Sequence, residues 1–123
     1  MSEHRLFHRV RFVAKTDIEI YGKSCEATLV DISLKGALVT FPDRLYPEMG
    51  LPCQMTIHLD ESDIKLTFSG EVIHSHENLT GIKFILIDLD SMIHLRRLLE
   101  LNSTNPDQVR SELNALIGQE EHN

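Results

Sequence analysis

Apolar residues recur at nearly every second position along Val10, Phe12 and Ala14, and again at Ile18 and Ile20. Period two puts alternate side chains on opposite faces, so Val10 to Tyr21 predicts a half-buried β-strand, with an irregularity placed at Thr16-Asp17. Tyr21-Gly22-Lys23 reads as a hairpin turn, and Cys25, Ala27 and Leu29, with Asp31 beyond them, continue the alternation in a second strand. Asp31-Ile32-Ser33-Leu34-Lys35-Gly36 interrupts it, and Ala37 to Phe41 resumes as a third. After a loop marked by Pro42, Asp43, Pro47, Gly50 and Pro52, alternation returns in Cys53, Met55, Ile57 and Leu59. Ile64, Leu66 and Phe68 share a face of the next strand, which Gly70 kinks before Val72. Glu77 to Gly81 is expected to turn the chain into Ile82, Phe84 and Leu86. Short strands separated by turn signals leave a closed barrel or a sandwich open.

Beyond Ile87 the period lengthens. Met92, Leu95, Leu98 and Leu99 follow helical spacing, with Asp88 or Asp90 as the N-cap. A second helix is predicted over Pro106 to Ile117. Asn105 is its cap, Pro106 suits the first turn, Gln108 completes a capping-box-like pair, and Gly118 ends it. Val109, Leu113, Leu116 and Ile117 are expected to face the barrel or a partner. The chain thus divides into a basic arm over 1–9, a β-barrel over 10–87 and a helical extension over 88–123.

Composition narrows the function classes. A chain of 123 residues, 41% hydrophobic, suits one domain with one core. Apolar runs are too short for a membrane span, and the arginines of the first residues break up any leader, so a cytoplasmic protein without membrane insertion is expected. Cys25 and Cys53 lack metal-ligand spacing and read as two buried thiols. The formal net charge of −7 argues against DNA or RNA, whose affinity rests on Lys and Arg. Distribution matters more. Glu3 stands against Arg5, Arg9, Arg11 and Lys15 at the N-terminus, whereas fourteen acidic residues face six basic ones from Phe41 onward. An acidic chain with a short basic arm suits a small anion better than a polyanion.

Two local features carry chemistry. Arg5-Leu6-Phe7-His8-Arg9 holds two guanidiniums four residues apart, and Asp31-x-Ser33-x-x-Gly36 forms a turn between strands. Singly, each has a plain reading: solvated arginines, an Asx or Ser turn, a bulge glycine. Together, RxxxR followed some twenty residues later by [DN]xSxxG resembles the PilZ domain. The resemblance runs to about Leu86, and Asp88 to Asn102 looks like the terminal helix of stand-alone members. It implies an all-β fold, a six-stranded antiparallel barrel of Greek-key type with one or two C-terminal helices.

The resemblance also implies a ligand, cyclic di-GMP, and no other cofactor. Its residues would be Arg5, Arg9, Asp31, Ser33 and Gly36. A guanidinium forks onto phosphate oxygens or across guanine O6 and N7, a pairing worth ~1–3 kcal/mol of base discrimination in nucleic-acid complexes. Asp31 can accept from guanine N1 and N2, Ser33 can donate to phosphate, and Gly36 is expected to allow positive φ and a close ligand approach. His4 stands where members binding two stacked ligands carry another arginine, so one or two ligands stay open. His74 or His76 stands where members often present a planar residue; plain surface histidines are the equal alternative. No GxSxG, phosphate loop or zinc spacing is present, and no catalysis is expected. The implied role is a monomeric receptor whose arm orders on binding and alters the surface for a downstream protein. Motility, exopolysaccharide production and biofilm formation are the implied processes. A PilZ-like interaction module without nucleotide binding is the alternative.

Overall fold

In the computed structural model, residues 9–42, 47–59 and 63–121 are described, with side chains to residue 116. Alternation of apolar side chains produces six strands in this region: β1 (Val10–Ile20), β2 (Lys23–Ile32), β3 (Gly36–Thr40), β4 (Pro52–His58), β5 (Lys65–His76) and β6 (Leu79–Ile87). All pairings are antiparallel, and the order β1-β2-β3-β6-β5-β4 closes into a barrel when β4 returns to β1. Closure gives every strand among the described residues a neighbour on both sides, which removes a route to aggregation. The inward set, among them Ile18, Leu29, Met55, Ile57, Leu66, Phe68 and Ile82, is almost wholly shielded from solvent. Full burial of such a side chain contributes about 1.5–3 kcal/mol.

Two-residue hairpins set the register at both ends. Tyr21 and Gly22 turn β1 into β2 with φ of 58° and 77°, and Glu77 and Asn78 turn β5 into β6 with φ of 52° and 70°. Positive φ at both positions is the type I′ pattern that matches strand twist. The second turn is therefore shorter than Glu77 to Gly81, and Gly81 lies inside β6. The irregularity of β1 lies between Arg11 and Ala14, not at Thr16-Asp17, which pair regularly with Ala27 and Glu26. Placing Val13 outward and 63% exposed, the bulge returns Ala14 to the core. The predicted disturbance near Gly70 is a register shift between Ser69 and Gly70.

The helices are α1 (Leu89–Asn102) and α2 (Pro106–Glu121). Asp88 is the N-cap of α1, accepting from Ser91 N at 2.8 Å; hydrogen bonding to the Ser91 side chain and to this backbone N–H holds its carboxyl below the ordinary carboxylate value. Ser91 Oγ in turn accepts from Thr67 N at 2.9 Å, fastening the first turn of α1 to β5. Leu95, Leu98 and Leu99 bury the inner face. Asn105 caps α2 through Gln108 N at 3.2 Å, but the Gln108 amide donates forward to Glu112, so the reciprocal half of a capping box is not made. The helix runs past Gly118 to Glu121; one glycine weakens a helix by about 1 kcal/mol without ending it. α2 packs on α1, where Val109 is buried. Both cysteines are free. Cys53 is buried, which pushes its thiol pKa up, and Cys25 is half-buried, short of the full burial expected.

Candidate functional site

The Asp31–Gly36 turn is held by its serine. Ser33 is 2% exposed, and its hydroxyl oxygen accepts from Lys35 N at 3.1 Å and Gly36 N at 3.3 Å. The hydroxyl also donates to the Gly36 carbonyl at 3.4 Å, beside a backbone bond from Ser33 N to the same oxygen at 2.8 Å. Ser33 thus serves the turn, and its atoms are turned away from solvent.

Gly36 does not need positive φ. A Cβ there would collide with the backbone carbonyl of Ile82 on the neighbouring strand, so the glycine lets β3 approach β6. The residue is buried. What these two residues accomplish is the outward presentation of Asp31, which the Val30 bulge also re-aims.

Arg9 meets that carboxylate. Its Nε donates to Asp31 Oδ1 at 3.0 Å, with the Arg9 side chain about half exposed and Asp31 about one-fifth. Residues 22 apart in sequence converge because Val10 pairs with Ile32 and Arg11 with Asp31. Arg5 and His4 lie outside the described residues. Exposed Arg11, Lys35 and Lys83 stand near this spot, Lys83 paired in register with Gly36 and, across the other strand, with Glu71. The result is a local cationic rim on an acidic chain.

The register extends the site across the barrel. Asp31 pairs with Leu38, Leu38 with Gly81, and Gly81 with His74. Leu38 lies between buried Ala37 and Val39 and is itself half-buried, so it faces outward. At Gly81 the His74 imidazole takes the place a side chain would fill: a Cβ there would lie 2.7 Å from Nδ1 and 2.8 Å from Nε2. The exposed ring therefore rests on the glycine backbone, a flat surface two strand spacings, ~10 Å, from the strand of Asp31. His76, two positions on, points elsewhere, its Nε2 3.1 Å from Glu77 Oε1 at the hairpin tip. Of the two histidines, only His74 shares the row of Asp31.

The family model for the PilZ domain matches residues 3–101 of this chain. The chain belongs to the PilZ domain family. Solved PilZ structures agree on the fold. The PilZ domain of a cellulose synthase (CeSA) from a cellulose-synthesising bacterium superposes with a TM-score of 0.59 at 16% identity, covering 74% of this chain and 93% of that one. The PilZ domain of YcgR from Escherichia coli, solved with c-di-GMP, gives 0.60 at 13% identity, with coverages of 78% and 88%. The inhibitor of motility MotI/DgrA from Bacillus subtilis gives 0.67 at 16% identity over 88% of this chain, which spans 51% of that larger protein.

Leu38 and Gly81 were not singled out from sequence. Leu38 could have been found by carrying the alternation of Ala37 and Val39 one step further. Gly81 carried a usable signal too: an isolated glycine inside a strand marks a close approach. Reading it as the end of the turn concealed that.

Proposed function

We propose that this PilZ domain is a receptor for cyclic di-GMP, acting as an adaptor and not as an enzyme. The observation that carries the reading is the Arg9–Asp31 contact: the arginine motif and the turn motif meet at one outward-facing spot. In this reading Arg9 and Arg5 fork onto phosphate or guanine, while Asp31 accepts from the Watson–Crick edge of a guanine. The ligand takes Arg9 over from Asp31 or bridges the two. Ser33 and Gly36 act through the shape of the turn, and His74 offers its ring as a stacking surface with Leu38 beneath the ligand's middle. Such base–ring stacking is worth about 1–3 kcal/mol per base.

Arginine contacts offset the cost of ordering the arm, residues 1–9, over the ligand. The altered surface around Asp31 to Gly36 then favours or disfavours a downstream protein. The ligand can shift that equilibrium only by its differential affinity for the two states.

The decisive experiment is isothermal titration calorimetry with cyclic di-GMP on wild type and on Arg5→Ala/Arg9→Ala. Saturable binding in the micromolar range or tighter, abolished in the double variant, is expected, and its stoichiometry fixes one ligand or two. Absence of heat from a folded wild-type protein sinks the receptor reading.

A further inference from the structure

We propose that the chain forms a two-fold symmetric dimer through the outer face of α1, in place of the monomer expected from the sequence. Positions three and four residues from Ile93 share its face of the helix: Leu89, Asp90, Arg96 and Arg97. This face lies opposite the buried Ser91, Leu95 and Leu98. It is open to solvent, with Leu89 74% and Ile93 44% exposed.

The charges on this face select the occupant. Asp90 lies three residues before Ile93 and Arg96 three residues after it; Leu89 and Arg97 lie four before and four after. None of the three charged residues has an ion-pair partner among the described residues. A second α1 laid antiparallel, with the two-fold axis at Ile93, therefore meets every group with its complement. Asp90 faces Arg96 of the other copy, Leu89 lies along the aliphatic stem of Arg97, and Ile93 packs on itself. That is the self-complementarity an isologous interface requires. A parallel copy would set Asp90 against Asp90 and Arg96 against Arg96, so the face also fixes the direction. The same face walls a cavity of about 630 Å³, with Leu89, Ile93 and Arg96 of α1 on one side and Leu113 and Leu116 of α2 on the other, large enough to admit an apolar side chain from the other copy.

Sedimentation velocity across a concentration series tests this on the full chain. Wild type is expected to shift from monomer to dimer as concentration rises. Asp90→Arg, which sets like charges opposite each other, is expected to raise the dissociation constant about tenfold or more. The double variant Asp90→Arg/Arg96→Asp restores the pairing with reversed sign and is expected to recover the dimer. Both substitutions are at exposed positions, and circular dichroism checks that the variants remain folded. A wild type that stays monomeric at its solubility limit overturns the proposal, as does a dimer indifferent to the single reversal or not restored by the double one.

Discussion

Gly36 and Gly81 stand on adjacent paired strands, two register positions apart, and both lack a Cβ because something occupies its place. What occupies it differs. At Gly36 the neighbour is the Ile82 carbonyl, a backbone group fixed in the barrel ladder. At Gly81 it is the His74 imidazole, the end of a rotatable and exposed side chain. One glycine is thus a requirement of the fold, and the other is a requirement of the surface. The same residue type, in the same sheet, marks the rigid and the adaptable ends of the candidate site.

The largest effect expected is at the rigid end. Gly36→Ala forces the new methyl into the Ile82 carbonyl, and relief requires β3 to move from β6 or the Asp31–Gly36 turn to open. Overpacking against backbone is expected to cost about 3 kcal/mol or more, read as a lower urea midpoint or as failure to fold. A variant within about 1 kcal/mol of wild type would show that the strands can separate freely, and the contrast with Gly81 would collapse.

Ser33→Ala is expected to come next. It keeps the backbone path but removes the acceptor shared by Lys35 N and Gly36 N. A buried donor left without its partner costs about 1–3 kcal/mol, so the melting temperature should fall by several degrees. Cyclic di-GMP affinity should fall with it, as Asp31 loses its fixed direction. An unchanged melting curve would mean that the backbone bond from Ser33 N to the Gly36 carbonyl holds the turn alone.

Most of the fold was legible from sequence because a closed barrel with one packed interior imposes strict alternation, and Val10 to Ile87 carries it. The misplaced features share a cause. The β1 irregularity and the role of Gly81 both depend on which residue faces which across strands, and hydrophobic alternation alone does not contain cross-strand register. The same holds for the site. Arg9, Asp31, Ser33 and Gly36 could be named from their spacing, but not that Ser33 and Gly36 are buried, with the Ser33 hydroxyl bonded inside the turn. Spacing identifies a motif; it does not say which of its residues are packed and which are exposed. Likewise, helical period located α2, but its end beyond Gly118 reflects the tolerance of a helix for one glycine.

At the adaptable end, Gly81→Ala is expected to do little to stability and more to binding. The atoms nearest the added methyl are those of the imidazole, which can rotate off the sheet into solvent. Alanine also loses less backbone entropy than glycine on entering a strand, which offsets part of the displacement. The net change should stay within about 1 kcal/mol in denaturant melts. Cyclic di-GMP affinity, in contrast, should drop about as far as in His74→Ala, because a ring pushed from the backbone no longer lies in the row of Asp31 and Leu38. Stacking losses of this kind run at about 1–3 kcal/mol per base, a factor of roughly five to 150 in the dissociation constant. The double variant His74→Ala/Gly81→Ala decides the cause. If glycine matters only as the seat of the ring, the double variant binds no worse than either single one. If the losses add, Gly81 touches the ligand in its own right, and the flat surface is the glycine backbone as well as the imidazole.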